Sequence, residues 1–490
     1  TPESMMLQIS QLDNAEVPIA CEPTEQKLYC CPGENYPISR SVHLARLAAF
    51  YPKCRDCPLR SDTGQLARQT VERIQRTERR VERPSFFTSE GVRGVYLNEI
   101  TRRWVGQAAA AFASLLWEHA PLAASVSLEQ TDTVQRRLHL PPSIAIGFDE
   151  RPASPDLIRG VSLSLRRTGC QVVDMGMTTK PRLWFGVDQL KCTAAVFVNG
   201  TGAPPSWTGL DFFVQGRGPL SREWTDGGSE GGERPEGGGA TREPHDADAM
   251  VYSLNQLEMR LHHQPGRFTR QAGQQRVFDP GDAYLAGLRK HFHALRPLRV
   301  CVGTPSQLVA SVVSRMFDRL PCELRLVDLP VRARNTPDQN DGDVNRLSQL
   351  VIDQAAHLGL LIDDDGQRCW FLDERGRLIP GADLFSLVAG QVWQDEPRYP
   401  VIVQSDTAPQ LLRRLQRQGI ACAQAATTQS ALVLQMLRHQ AVLGGVFEDR
   451  YWFRDAFPTC DAVVTLAHVL AALSCSDARC SDRMAQLASM

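Results

Sequence analysis

Hydrophobic positions divide the chain into two unlike regions. From about Pro141 onward, short apolar runs alternate with segments whose apolar residues recur every three or four positions. This is the pattern of buried strands followed by amphipathic helices. The run SIAIGFD predicts a strand, PDLIRGVSLSLRRTG a helix, QVVDM a second strand, PRLWFGVDQL a helix and AAVFVNG a third strand. Such a βαβαβ layer implies a mainly parallel sheet. A helix over Ala247 to His263 leads into a second set: LRVCVG, a helix from Ser306, ELRLVDL, a helix from Val344, then GLLIDDD and RCWFLDERG. A third set starts at PVIVQS, passes through helices near Pro409 and Gln429, and ends with AVLGGV, RYWFRD and a helix from Asp461 to Leu473. The stretch Gly216 to Asp248 contains GGSEGGERPEGGG and almost no apolar residues. It cannot bury enough surface to offset its chain entropy, so it is expected to be a disordered surface insertion.

Composition adds limits. With 490 residues, 42% hydrophobic and 22% charged, the chain has room for about three domains of an ordinary globular kind. The 54 Lys plus Arg balance 55 Asp plus Glu, so the whole-chain charge of -1 favours neither nucleic acid nor an acidic membrane as partner. No apolar run approaches the roughly 18 to 20 residues of a spanning helix, and the start, TPESMMLQIS, has neither a basic leader nor a long apolar core. A cytoplasmic chain without a membrane partner is expected.

The fourteen cysteines are unevenly placed. Seven (Cys170, Cys192, Cys301, Cys322, Cys369, Cys422, Cys460) stand singly in apolar segments, where reduced Cys acts as a small hydrophobe. By contrast Cys21, Cys30, Cys31, Cys54 and Cys57 crowd into the first sixty positions, around a short helix near Ser41 to Phe50. Four thiolates can close a structural zinc site, so Cys30, Cys31, Cys54 and Cys57 are candidate Zn2+ ligands. The adjacent first pair departs from the usual spacing, and His43 or Cys21 can replace one of its thiols. Gln65 to Arg83 reads as a solvated, charged connecting helix.

Beyond these patterns the chain resembles the α-D-phosphohexomutases, the phosphoglucomutase and phosphomannomutase family. In FFTSEGVRG, Phe87, Gly91, Val92, Arg93 and Gly94 fit the family's opening signature. IAIGFDERPASPDLIRGVSLSLRRTGCQVVDMGMTTKPRLWF is similar to its first-domain stretch. LGLLIDDDGQRCWFLDERGRLIPGADL falls at its Asp-Gly-Asp-x-Asp-Arg metal loop, and AVLGGVFEDRYWFRDAFPTCDAV at its Gly-Glu-x-Ser-Gly-His sugar loop. The resemblance implies three consecutive α/β/α domains with mixed, mainly parallel sheets, besides the small Cys-rich N-terminal segment. The expected boundaries are 1–64 for the Cys-rich segment, 65–83 for the connecting helix, 84–275 for the first domain with its 216–248 insertion, 276–395 for the second and 396–490 for the third. The family's fourth, phosphate-anchoring domain is expected to be absent from this sequence.

The resemblance also implies phosphoryl transfer on hexose phosphates through a phosphoserine and Mg2+. Thr201 stands in the serine place, Gly202 in that of the neighbouring His, and Arg93 in the catalytic arginine place. Asp363 and Asp365 match two metal carboxylates, while Gln367 replaces the third and Asp364 stands where the family has Gly. Mg2+ binding is therefore expected to be weak or lost. Arg368, Glu448 and Arg450 are substrate-binding candidates, although Gly445 to Arg450 lacks the family's Glu and Ser. From residues alone, the Gly-Thr-Gly stretch reads as a tight turn before a proline pair, and Asp363 to Asp365 also reads as a solvated acidic turn. Two functions stay open: a hexose-phosphate mutase with strongly reduced or lost catalysis, and a non-catalytic sugar-phosphate sensor or scaffold docking an unknown protein partner through a zinc-held N-terminus.

Overall fold

A computed structural model describes residues 28–30, 36–49, 51–54, 57–78, 85–118, 140–222, 252–263, 268–333, 337–405, 409–447, 449–456 and 459–489. The chain forms two compact units, Thr1–Ser85 and Phe86–Met490.

In the smaller unit β1 (Tyr29–Cys30) pairs antiparallel with β2 (Pro37–Ile38). Helix α1 (Arg40–Ala48) follows, its first turn capped by the Ser39 hydroxyl, which accepts the Val42 N–H. Helix α2 (Arg68–Glu78) completes it, with Leu47, Cys54 and Ile74 forming a small core.

Among its described residues the larger unit contains three sheets. The first is built from β3 (Val92–Val95), α3 (Arg102–Glu118), β4 (Ser143–Phe148), α4 (Ser154–Arg167), β5 (Gln171–Met177), α5 (Lys180–Leu190), β6 (Ala194–Asn199), β7 (Trp207–Val214), β8 (Gly218–Pro219), α6 (Leu254–His263) and β9 (Gln275–Val277). Its order is β3-β7-β6-β4-β5-β9; the β6-β4-β5-β9 part is parallel and β3 and β7 are antiparallel. All of β6 is buried, as a central parallel strand covered by helices on both faces must be. Residues 216–222, expected at the start of the disordered insertion, instead continue the sheet: β8 pairs with β7, because a Gly at φ +76° and another at φ +88° turn the chain back. The rest of the insertion, 223–248, lies outside the described residues.

The second sheet comes from α7 (Gly281–Arg289), β10 (Arg299–Thr304), α8 (Gln307–Phe317), β11 (Glu323–Asp328), α9 (Gly342–Asp353), β12 (Leu358–Ile362), β13 (Cys369–Leu372) and α10 (Gly381–Asp395), in the order β11-β10-β12-β13. The third comes from β14 (Val401–Gln404), α11 (Pro409–Arg417), β15 (Cys422–Ala425), α12 (Gln429–His439), β16 (Leu443–Phe447), β17 (Arg450–Phe453), β18 (Thr459–Cys460), α13 (Ala462–Ser474) and α14 (Cys480–Ser489), in the order β15-β14-β16-β17-β18. Each has a parallel centre and an antiparallel edge, so the mixed, mainly parallel α/β class is observed. These two sheets share one core, running from Tyr284 and Phe385 to Leu466 and Leu470. Among the described residues no helix is long and apolar enough to cross a membrane.

Candidate functional site

The loops after β4, β6 and β12, at the carboxyl ends of parallel strands, converge within the larger unit. This is where open α/β sheets place ligands. β6 ends at the fully buried Asn199, whose side chain organises the Gly-Thr-Gly loop beyond it. Its amide donates to Asp211 at 2.9 Å, and its Oδ1 accepts the Thr201 N–H at 3.1 Å and Arg93 Nη2 at 3.0 Å. Gly200 N–H donates to Asp149 at 2.9 Å. Gly202 sits at φ +70°, a conformation that a side chain in the family's His place would strain. Thr201 is half-buried, and its carbonyl accepts Arg93 Nε at 3.4 Å.

Arg93 lies on β3 opposite Gly209 of β7, and Asp211 is two residues farther along the same face. Arg93 Nη1 donates to Asp211 at 2.6 Å and to the Val92 carbonyl at 2.9 Å. The other Asp211 oxygen faces the Lys180 ammonium at 2.7 Å, and that ammonium also reaches Asp365 at 3.1 Å. Asp211, Lys180 and Asp365 are 4%, 6% and 1% exposed, so none of these charges is in water. Burial pushes the Asp211 carboxyl up, but Arg93 and then Lys180 outweigh it and hold Asp211 ionised well below the usual range. Burial works against the Lys180 charge; Asp211 and then Asp365 more than offset it and raise its pKa.

Asp363 to Arg368 form the turn between β12 and β13, whose last pair is Ile362 with Cys369. Each of the three Mg2+ candidates makes at least one contact within the protein. Asp365 Oδ1 accepts the Gln367 N–H at 2.9 Å while its Oδ2 holds Lys180. Asp363 Oδ1 accepts the Asp364 N–H at 3.0 Å, and Arg368 lies 3.7 Å from Oδ2. Gln367 turns its amide nitrogen to the Cys460 carbonyl at 3.4 Å. A magnesium ion needs open oxygens at about 2.0–2.1 Å in near-octahedral array. These residues do not fit one, because an ammonium sits among the carboxylates. Among the described residues no group of three His, Cys, Asp or Glu is placed to hold a metal ion.

Asp364, the added carboxylate, pairs with Arg151 at 2.9 Å. Its pKa is raised, burial being the main cause and Arg151 opposing it. Arg151 also donates to the carbonyls of Ala203, Pro204 and Trp207, so it fastens the loop after Thr201 to the acidic turn. Arg368 stacks over Trp370 at 5.0 Å and is 6% exposed. Arg450 donates to both oxygens of Glu90 at 3.0 and 3.1 Å. Glu448 lies outside the described residues.

The expected zinc cluster is not assembled among the described residues of the smaller unit. His43 is stacked on Tyr29 at 4.2 Å and its Nε2 bonds the Asp62 carbonyl at 3.0 Å, which occupies it otherwise. Cys30 is exposed whereas Cys54 and Cys57 are buried; Cys21 and Cys31 lie outside the described residues.

Thus Thr201, Arg93, Asp363, Asp365, Gln367, Arg368 and Arg450 all belong to one unit, and their loops are tied together by residues to which sequence reading assigned no role: Lys180, Asp211, Asn199, Arg151 and Glu90. One hint was present, since an aspartate inside the apolar run GLDFFV must find a buried partner.

Residues 84–227 match the family model for the phosphoglucomutase/phosphomannomutase alpha/beta/alpha domain I. The chain is 22% identical over 347 residues to a phosphomannomutase of Escherichia coli K12, covering 68% of this chain and 70% of that protein. It is 22% identical over 407 residues to a phosphomannomutase/phosphoglucomutase of Pseudomonas syringae pv. tomato, covering 81% and 76%. The fold superposes on a phosphoglucomutase/phosphomannomutase family protein of Burkholderia thailandensis with a TM-score of 0.63 at 19% identity, over 82% of this chain and 79% of the other. Domain I is thus matched by the family model, and over most of its length the chain is similar in sequence and in fold to phosphoglucomutase/phosphomannomutase proteins.

Proposed function

We propose that this phosphomannomutase/phosphoglucomutase-like protein of carbohydrate metabolism has lost, or strongly reduced, mutase turnover on hexose phosphates. One observation carries the reading: the Arg93 guanidinium is spent on Asp211, Asn199 and the carbonyls of Val92 and Thr201. Phosphoryl transfer is catalysed by positioning and by cationic groups that gain contacts as the transferring group develops charge. An arginine already neutralised by a buried carboxylate adds little to that difference. The Thr201 hydroxyl carries a methyl that crowds attack, and the cation place is filled by Lys180. Action in the cytoplasm is part of the proposal, supported by the free thiols among the described residues.

The test is a coupled assay on glucose 1-phosphate and mannose 1-phosphate with Mg2+ and a hexose 1,6-bisphosphate activator, paired with intact-mass measurement for phosphate at Thr201. Turnover orders of magnitude below an active phosphomannomutase/phosphoglucomutase, and no phosphate on Thr201, are expected. A normal rate that Asp363→Ala abolishes would sink the proposal.

The alternative is a non-catalytic sugar-phosphate sensor or assembly scaffold. It is favoured by the pairs Arg450–Glu90 and Arg151–Asp364, which tie distant loops together where a mutase cleft would need to open. Calorimetry with hexose phosphates separates the two halves of that alternative, since only the sensor releases binding heat.

A further inference from the structure

The misfit between the acidic turn and a divalent cation has a specific cause. Lys180 reaches a carboxylate on the first sheet, Asp211 at 2.7 Å, and a carboxylate in the turn after β12, Asp365 at 3.1 Å. Asp365 is one of the two carboxylates matched to the family's metal loop, and the ammonium ties it to a buried carboxylate of the first sheet. The contact is reinforced by the backbone, because the Lys180 N–H donates to the Asp365 carbonyl at 3.3 Å.

The lysine is also placed against local preference. It is the first residue of α5, at the positive end of the helix dipole, and that helix has no acidic residue in its first turn. A buried ammonium there is tolerable only because the carboxylates come from elsewhere in the fold. Charges in direct contact balance: Arg93 and Lys180 against Asp211 and Asp365. A divalent ion entering between Asp211 and Asp365 would meet an ammonium already bridging them.

We infer that the Lys180 ammonium is a built-in replacement for the divalent cation, bridging Asp211 and Asp365 so that the site is assembled without metal. This deepens the reading of altered mutase chemistry and rests on it for the site's identity. It predicts a latent metal site: without the ammonium, two buried carboxylates face one point, and one or two carboxylates with water suffice for a hard cation.

The experiment titrates the full chain with Mn2+, reading free ion by electron paramagnetic resonance, and records melting in Mg2+ and in EDTA. Wild type should bind no Mn2+ that Asp365→Asn removes, and should melt alike in both buffers. Lys180→Met should bind Mn2+ roughly tenfold or more tightly than wild type, and the double change Lys180→Met with Asp365→Asn should lose that gain. Stoichiometric wild-type binding abolished by Asp365→Asn overturns the inference. So does a folded Lys180→Met protein that gains nothing. If Lys180→Met fails to fold, Lys180→Gln repeats the gain test and the wild-type titration still decides. Failure here is separable from failure of the proposed function: mutase turnover that persists in EDTA overturns the latter and leaves the tethered cation standing.

Discussion

Arg450 clasps Glu90 with two hydrogen bonds, across 360 positions of chain. The Arg450 side chain is 3% exposed and that of Glu90 20%, so the pair is only slightly screened. Removing one partner leaves the other charge largely buried. Arg450→Ala should therefore cost about 3 kcal/mol in urea unfolding followed by tryptophan fluorescence. Replacing both residues with Met should cost less, because no charge is orphaned. A single-variant loss below about 0.5 kcal/mol would show the pair to be ornamental to stability.

Gly209 faces β3 so closely that a Cβ there would lie 1.6 Å from the Val92 carbonyl oxygen and 3.2 Å from the Arg93 Cα. The obstacle is backbone, which cannot rotate away. Gly209→Ala should cost about 3 kcal/mol or more, or prevent folding, because β3 must part from β7 and take Arg93 off Asp211. A variant as stable as wild type would contradict the described strand register.

His291 and His468 lie with ring centroids 5.5 Å apart, and His468 stacks on Phe453. Burial first, then neighbouring positive charge, lowers each pKa to about 4. Folded histidines with lowered pKa bind fewer protons than unfolded ones between about pH 4 and 6.5, so their contribution is complete above pH 6.5 and lost on acidification. Asp461, raised by burial to about 6 and accepting the Tyr284 hydroxyl at 2.7 Å, works in the opposite sense over pH 4 to 6. Comparing variants removes that background. Between pH 6 and 4, wild type should lose roughly 1.4 kcal/mol more per pH unit than His468→Phe. Parallel profiles would mean that His468 does not titrate as its surroundings imply.

Thiol reactivity should be sharply uneven. Cys30 and Cys475 are exposed, whereas burial pushes the Cys369 and Cys460 thiols far up and withholds the reactive thiolate. Brief iodoacetamide labelling, mapped by peptide mass, should mark Cys30 and Cys475 while sparing Cys369 and Cys460. Early labelling of Cys460 would place it outside the core.

Element type was legible because it is a local property. The apolar runs SIAIGFD and QVVDM and the helical spacing in PDLIRGVSLSLRRTG already carry the burial that the sheet and its helices realise. Caps were equally local, as at Ser306 and Asp461, whose side chains accept N–H groups of the following turn. The acidic turn and the Gly-Thr-Gly loop were located by resemblance, since their residues are contiguous. What those residues touch was another matter. Lys180 and Asp365 are 185 positions apart, and nothing near either residue specifies the other. Only the packing of sheets brings the start of α5 against the turn after β12. The sequence by itself determined the strands, the helices and the carboxylates available for a cation; the tertiary structure decided that a lysine from another loop would occupy that place, because buried charges are paired across the fold by what lies within about 3 Å in space rather than by order along the chain.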